Sequence, residues 1–229
     1  MAAPDTGRHP GIVLIHDVWG LADHTRDVSR RLADEGFHVL GIDLYREFAS
    51  KEIENPGSWI QNLSDPDLLA DIRAAARFLA GHPDSRNEKV GVVGFCMGGM
   101  YALLAGCDRE GEIAATVPFY GLLSYTHGLL QAGSGLDPAL KPREPLEAAR
   151  ELRCPMLAFF GAEDPYVSAE DIAALEVSLG ASGQQADCIC YPGAGHAFIN
   201  DTREDAYRPD AARDAWAKMA AFLRTQLTG

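Results

Sequence analysis

Short apolar runs alternate along the chain with longer segments in which apolar residues recur every three or four positions. The continuous runs predict strands, and the periodic segments predict helices with one apolar face. The predicted strands lie at 12–15, 37–42, 90–93, 114–119, 156–160 and 188–191. The predicted helices lie at 28–34, 68–79, 100–105, 172–179 and 211–227. This alternation is typical of βαβ units, so we expect an α/β fold whose mostly parallel sheet carries helices on both faces.

The domain organisation follows from length and from one irregular segment. A chain of 229 residues is long enough for one substantial core, so residues 1–229 are expected to form a single domain. Residues 121–153 contain several glycines and prolines and show no clear period. Long connections in compact domains are often functional, so this segment is expected to act as a lid or substrate loop.

Composition and charge exclude several classes of protein. The net charge of −13 and the absence of a Lys/Arg cluster argue against a nucleic-acid partner. The polar start Met1–Asp5 lacks the apolar segment of a signal peptide. Five cysteines are an odd number without the spacing of a disulfide framework. We therefore expect a cytoplasmic protein with free thiols.

The uncharged and strongly apolar run at residues 90–107 is long enough to be considered as a membrane span. It contains five glycines and changes from a strand pattern to a helix pattern, which argues against a span. The sequence therefore predicts no membrane association.

The stretch Gly94-Phe95-Cys96-Met97-Gly98-Gly99 joins a predicted strand to a predicted helix. This strand–turn–helix arrangement is a nucleophile elbow, in which a sharp turn presents one side chain beyond the sheet edge. Flanking glycines are needed because a Cβ atom would collide with neighbouring backbone. The presented residue is Cys96, so the pattern predicts thiol-based acyl chemistry.

Two further residues follow in the order that this chemistry requires. Asp164 comes just after the strand at 156–160, and His196 just after the strand at 188–191. The carboxyl ends of parallel strands meet at one edge of the sheet, so both residues are expected near Cys96. His196 would transfer protons and Asp164 would orient its imidazole. The oxyanion would bind the Met97 N–H and a second N–H from the loop at 16–20.

Each of these signals has a structural alternative. Cys96 could be a buried thiol in a tight turn, Asp164 a turn or cap residue, and His196 a loop histidine without a role. The joint order and placement favour the catalytic interpretation.

Cys188 and Cys190 share a face of one strand, which raises the alternative of a metal site. Two thiols without further ligands make a poor zinc site, so we expect these side chains to pack under the last strand instead.

The chain also resembles the dienelactone hydrolases, or carboxymethylenebutenolidases, over nearly its whole length. The matching stretches are Gly11–Gly20, Gly41–Tyr45, Gly91–Gly99, the Asp164 loop, Gly195–Phe198 and the segment from Tyr207 to Trp216. The resemblance implies an α/β-hydrolase fold with a Cys-His-Asp triad. It also implies hydrolysis of small esters or lactones through an acyl-thioester, without a metal or organic cofactor. A monomer or a homodimer would be compatible with it.

The resemblance assigns roles to two residues after the first strand. Asp17 stands where the family has a glutamate that contacts the nucleophile's thiol, and the Val18 N–H would complete the oxyanion hole. Aspartate is one methylene shorter than glutamate. The alternative for Asp17 is a loop residue that caps the following helix.

The chain departs from the family pattern at the substrate-binding positions. Well-known members hold a substrate carboxylate with two arginines, but Asn200 occupies one of these places and the region 51–62 contains no arginine. Arg46 and Arg203 are possible substitutes. The N-terminal hairpin of many relatives is expected to be reduced or absent, which leaves a sheet of about six to seven strands. The expected pocket residues are Trp19, Tyr45, Arg46, Tyr125, His127 and Phe198.

These departures leave two functions open. The first is a cysteine-dependent hydrolase of small esters or lactones. The second is a weak or inactive hydrolase fold that serves as a ligand-binding or partner-binding module.

Overall fold

The computed structural model describes residues 1–4, 6–47, 53, 55–131 and 135–228, except for the side chains of residues 87 and 88. The strands are β1 (His9–Ile15), β2 (His38–Ile42), β3 (Ser85–Phe95), β4 (Ile113–Phe119), β5 (Met156–Gly161) and β6 (Ala186–Tyr191). The helices are α1 (Asp23–Asp34), α2 (Pro56–Asn62), α3 (Asp65–Ala80), α4 (Met97–Cys107), α5 (Pro145–Ala148), α6 (Ala169–Ser182) and α7 (Pro209–Thr228). A short 3₁₀ helix, Ala149–Glu151, follows α5.

The six strands of the described part form one sheet in the order β2-β1-β3-β4-β5-β6. Every neighbouring pair is parallel, so all carboxyl ends lie at the same edge. In place of an N-terminal hairpin, the sheet has a single antiparallel bridge between Ala2 and Val39. The predicted α/β fold with a parallel sheet and a reduced hairpin is confirmed.

Helices cover the two faces of the sheet, and two glycines of β3 show how closely they pack. A Cβ atom on Gly91 would lie 3.1 Å from Leu227 of α7, whereas one on Gly94 would lie 1.9 Å from the Gly98 carbonyl of α4. Odd and even positions of a strand point to opposite faces, so α7 and α4 lie on opposite sides. None of the helices that the structure describes is long and apolar enough to cross a membrane.

Side-chain caps mark the starts of α2, α3 and α6. The Ser64 side chain accepts a hydrogen bond from the Asp67 N–H and caps α3, as the sequence suggests. Helix α1 begins at Asp23, five residues before the predicted helix at 28–34. The prediction missed this first part because it is polar and lacks the apolar period. Helix α2 was not predicted, although Asn55 caps it and a proline occupies its first position.

The long segment 121–153 is tied to the domain by a buried ion pair. Lys141 Nζ lies 2.6 Å from Asp65 Oδ1 at the start of α3, and neither side chain is more than 4% exposed. Residues 132–134 of this segment lie outside the described residues, as do residues 51, 52 and 54 of the region 51–62.

On β6, Cys188 is half-buried but Cys190 is exposed. The prediction that Cys190 packs in the interior is therefore wrong. The reason is that β6 is an edge strand of the sheet.

Candidate active site

Cys96 lies at the turn between β3 and α4, near the middle of the sheet. Its backbone has φ 55° and ψ −118°, which is unusual for a residue with a side chain and is typical of strained functional turns. The Cys96 N–H donates to the Phe119 carbonyl over 3.0 Å, which holds the turn against β4. The residue is only 5% exposed.

The glycines around Cys96 allow the backbone to pack directly on backbone. A Cβ atom on Gly98 would lie 2.4 Å from the Ile15 carbonyl oxygen and 2.5 Å from that of His16. Contacts this short do not occur for real Cβ atoms, so the elbow and the loop after β1 can approach only because residue 98 is glycine.

His196 and Asp164 lie together at the same edge of the sheet. His196 Nδ1 donates to Asp164 Oδ2 over 2.7 Å, and the other carboxylate oxygen accepts from the Tyr166 N–H over 2.8 Å. The rings of Tyr120 and Tyr166 contact the imidazole edge-on, with centroids 4.9 and 5.0 Å away. These contacts fix the ring and its tautomer, so Nε2 is the nitrogen left for chemistry.

The electrostatics of the site favour a proton on His196. Burial lowers the pKa of His196, but the charge of the Cys96 sulfur and the hydrogen bond to Asp164 outweigh it and raise the pKa to about 10. Nε2 is buried, and apart from the interaction with the Cys96 thiol that helps to raise the pKa it has no hydrogen-bond partner among the described residues. A protonated imidazole and a negatively charged sulfur favour one another, which is how a neighbouring histidine activates a thiol.

Val18 and Met97 present two backbone N–H groups at the site. Neither N–H donates a hydrogen bond within the described part of the chain. The buried Tyr45 hydroxyl donates to the Val18 carbonyl over 3.0 Å and lies 3.4 Å from Met97 Sδ, so it connects the loop after β1 to the start of α4. Unpaired N–H groups of this kind can bind a developing oxyanion.

Asp17 lines the same cavity as Cys96, but its carboxylate makes no hydrogen bond to the Cys96 thiol in the described part of the structure. Its Oδ1 accepts from the Trp19 N–H over 2.9 Å. Burial raises the pKa of Asp17, and this effect is partly opposed by the Trp19 N–H and by the charges of His196 and Arg203. Asp17 does not cap α1, because the N-cap residue of α1 is Ala22, without a side-chain cap.

A cavity of about 90 Å³ opens beside the Cys96 sulfur and the His196 ring. A second, larger cavity of about 370 Å³ lies between α1 and α7 and contains none of the predicted site residues. The wall of the smaller cavity consists of Asp17, Val18, Trp19, Pro56, Cys96, Tyr120, Leu129, Tyr166, His196, Ala197, Asn200 and Arg203.

Of the six expected pocket residues, only Trp19 lies on the cavity wall. Tyr45 is buried behind the wall, and Arg46 pairs with Asp71 and Glu47 on the surface.

The other three also point away from the cavity. The Tyr125 hydroxyl donates to Asp65 over 2.5 Å, and His127 lies 2.8 Å from Asp171. Phe198 packs fully buried against Tyr120.

The structure adds wall residues that sequence reasoning missed. Tyr120 directly follows β4, and Tyr166 comes two residues after Asp164, so position after a strand could have indicated both. Pro56 and Leu129 come from segments whose position depends on tertiary contacts and had no such signal.

No group of three His, Cys, Asp or Glu side chains in the described ranges is arranged to hold a metal ion. Cys188 and Cys190 therefore belong to no such group among the described residues.

A parallel sheet with an elbow on its central strand, and a histidine–carboxylate pair after later strands, defines an α/β-hydrolase. A profile of the dienelactone hydrolase family matches residues 1–227. The chain belongs to this family, and it is a hydrolase of the ester and lactone class.

Relatives of known sequence cover nearly the whole chain. A protein of Bradyrhizobium sp, named a probable 2-oxo-3-(5-oxofuran-2-ylidene)propanoate lactonase, is 34% identical over 227 residues, which is 98% of this chain and 87% of that protein. A protein of Yersinia pestis assigned as a carboxymethylenebutenolidase is 30% identical, over 96% of this chain and 80% of its own length.

Solved structures agree with this assignment. The crystal structure of a protein assigned as a dienelactone hydrolase from Klebsiella pneumoniae subsp. pneumoniae MGH 78578 has a TM-score of 0.83 at 27% identity, covering 96% of this chain and 89% of that one. A dienelactone hydrolase-like promiscuous phosphotriesterase from metagenomic libraries has a TM-score of 0.78 at 24% identity, over 97% of this chain and 88% of that one. The second likeness concerns the fold alone.

Proposed function

We propose that the protein hydrolyses small carboxylic esters or lactones with Cys96 as nucleophile, through an acyl-thioester intermediate. The single observation that carries the proposal is the hydrogen bond between His196 Nδ1 and Asp164 Oδ2, which leaves Nε2 as the free nitrogen of a ring that shares its cavity with Cys96. The lactonase named among the relatives supports lactones as part of the substrate class.

In the acylation step the Cys96 sulfur attacks the carbonyl carbon, and the carbonyl oxygen becomes an oxyanion. The Val18 and Met97 N–H groups donate to this oxygen. When the tetrahedral intermediate collapses, the bond to the alkoxy oxygen breaks and His196 Nε2 gives that oxygen a proton. For a lactone, the alcohol remains part of the same molecule.

In the deacylation step His196 removes a proton from a water molecule, which attacks the thioester carbonyl. The same two N–H groups hold the second oxyanion. Its collapse breaks the bond between the carbonyl carbon and the Cys96 sulfur and releases the acid, and the proton taken from water remains shared between His196 and the sulfur. Asp164 keeps the imidazole in one orientation during both steps and stabilises its positive charge.

The five cysteines, all free, suit a reducing compartment such as the cytoplasm.

The test is to trap the intermediate. Wild-type protein mixed with an activated small ester and quenched in acid should gain the mass of one acyl group, located on the peptide that contains Cys96. Cys96→Ala should gain no acyl group and should lose turnover. The matched control is Cys190→Ser, which removes an exposed thiol that is not part of the cavity wall and should behave like wild type.

Full turnover in Cys96→Ala would refute the proposal. If wild-type protein hydrolyses none of a panel of small esters and lactones, yet is stabilised by one of them, the binding-module interpretation replaces it.

A further inference from the structure

His16 is a buried histidine beside the active site that the proposed chemistry does not use. It directly follows β1 and precedes Asp17 and Val18, and none of its surface is exposed. It is not one of the described residues that form the wall of the cavity at Cys96. A part for His16 in catalysis therefore has to act through its hydrogen bonds rather than through contact with a substrate.

The hydrogen bonds of His16 fix which ring nitrogen carries the proton. The Leu44 N–H donates to His16 Nε2 over 3.0 Å, and His16 Nδ1 lies 2.5 Å from the Asp17 carbonyl oxygen. A backbone N–H can only donate, so Nε2 accepts and carries no proton. Asp43 Oδ1 lies 3.8 Å from Nε2, which is too far for a hydrogen bond. The proton is therefore on Nδ1, which donates to the Asp17 carbonyl.

The Asp17 carbonyl belongs to the same peptide unit as the Val18 N–H. Because a peptide unit is planar and trans, its C=O and N–H groups point in opposite directions. The Gly20 N–H donates to the same carbonyl over 3.2 Å. Holding this carbonyl toward the buried His16 ring therefore fixes the direction of the Val18 N–H on the other side of the plane. A hydrogen bond to the carbonyl also polarises the peptide unit, which makes its N–H a stronger donor.

The loop after β2 supports this arrangement. Leu44 and Tyr45 both lie in that loop, and the Tyr45 hydroxyl donates to the Val18 carbonyl over 3.0 Å. The rings of His16 and Tyr45 pack against each other, with centroids 5.0 Å apart. Side chains therefore hold the peptide units on both sides of Val18, and His16 acts on the unit that contains the Val18 N–H.

From these contacts we infer that His16, with its proton on Nδ1, is a positioning residue that orients the Val18 N–H toward the oxyanion of ester or lactone hydrolysis. The inference rests on the proposed function, because the oxyanion arises from the attack of Cys96 on the carbonyl. An oxyanion forms in acylation and again in deacylation, so His16 acts in both steps. Its effect is greater in the transition state than in the bound substrate, whose carbonyl oxygen carries less charge.

Two substitutions of His16 separate its two hydrogen bonds. The amide nitrogen of asparagine is as many bonds from Cβ as histidine Nδ1, so His16→Asn keeps a donor for the Asp17 carbonyl and loses the acceptor for the Leu44 N–H. The amide oxygen of glutamine is as many bonds from Cβ as Nε2, so His16→Gln keeps the acceptor and loses the donor. Each variant thus keeps one of the two bonds.

The assay is hydrolysis of p-nitrophenyl acetate by wild-type protein and both variants. His16→Gln should lower kcat and kcat/KM alike by about 10- to 100-fold, since a misdirected donor costs up to as much as a missing one. The kcat of His16→Asn should be at least about five-fold higher than that of His16→Gln. A merely structural role predicts the reverse order, because His16→Asn deprives the buried Leu44 N–H of its acceptor, whereas the Asp17 carbonyl still has the Gly20 N–H.

Alkylation of Cys96 by iodoacetamide is the matched control reaction. It is followed by the mass of the peptide that contains Cys96, and urea unfolding confirms that each variant is folded. The sulfur displaces iodide from carbon in this reaction and no oxyanion forms, so the Val18 N–H has no part in it. Wild-type protein, His16→Gln and His16→Asn should therefore be alkylated at equal rates.

Two results would overturn the inference and leave the proposed function standing. One is an equal kcat for His16→Gln and His16→Asn, and the other is a loss of kcat in His16→Gln that is matched by equally slow alkylation of Cys96. If wild-type protein is alkylated at Cys96 but hydrolyses no ester or lactone, the proposed function fails and the inference fails with it.

Discussion

Replacing Lys141 by methionine should destabilise the protein by about 3–5 kcal/mol, the cost usually found when one member of a buried ion pair is removed. The Lys141 side chain is fully buried, and that of Asp65 is 4% exposed. Both carboxylate oxygens of Asp65 are engaged: Tyr101 donates to Oδ1 over 2.8 Å, and Tyr125 donates to Oδ2 over 2.5 Å.

The magnitude follows from what the substitution leaves behind. Without Lys141, the Asp65 carboxylate keeps its two phenol donors but loses its neutralising charge, and the protein around it prevents water from replacing it. The double variant Lys141→Met/Asp65→Asn removes the charge and retains an acceptor for the phenols. We expect it to regain about 2 kcal/mol relative to Lys141→Met, because the uncompensated charge is the main cost.

The assay is equilibrium unfolding in urea, with the m-value checked for each variant so that the free energies are comparable. A loss below about 1 kcal/mol for Lys141→Met would refute the reasoning, since it would mean that the site admits water freely. A double variant less stable than Lys141→Met would refute the assignment of the cost to unpaired charge.

Three further predictions concern the site and its supports. Asp164→Asn should lower kcat/KM for small esters by about 10³–10⁴-fold, because the amide can hold the wrong imidazole tautomer; a loss below ten-fold would contradict this role. In urea unfolding, Gly98→Ala should destabilise the protein by several kcal/mol, because the added Cβ atom would lie 2.4 Å from the Ile15 carbonyl oxygen. The matched control is Gly180→Ala in α6, where an added Cβ atom has no heavy atom within 4 Å. This variant should be more stable than wild type, by no more than about 1 kcal/mol. Burial lowers the pKa of His24, and the charge of Asp201, 4.0 Å from Nδ1, opposes this effect only in part. Neither ring nitrogen has a hydrogen-bond partner among the described residues, so the unfolded chain takes up a proton more readily. Its contribution to stability should therefore be lost as the pH falls below the ordinary histidine pKa of 6.5, and His24→Leu should flatten that dependence in unfolding experiments from about pH 8 to about pH 5.

The sequence predicted the positions of Cys96, Asp164 and His196 better than the cavity wall around them. Cys96, Asp164 and His196 could be placed because each follows an apolar strand, and parallel strands bring such positions to one edge. The glycines of the elbow gave a second, independent signal, since their Cβ atoms would overlap carbonyl groups.

The cavity wall could not be predicted in the same way, because it depends on where loops come to rest. Tyr125 and His127 were expected in the pocket since they belong to the long connection 121–153. Instead they face Asp65 and Asp171, whose carboxylates lie at the starts of α3 and α6. Leu129, from the same connection, reaches the wall with an apolar side chain that no motif distinguishes.

The direction of the six strands also separates the molecule into two ends with different tolerances. Asp17, Cys96, Tyr120, Asp164 and His196 all follow the carboxyl ends of strands, while the turns that lead into the strands emerge at the opposite edge. Gly36 and Gly183 lie in two of those turns, and a Cβ atom added to either would have no heavy atom within 4 Å. Peptide tags, added residues or new chain termini could therefore be engineered at that end, at the edge of the sheet opposite the candidate active site.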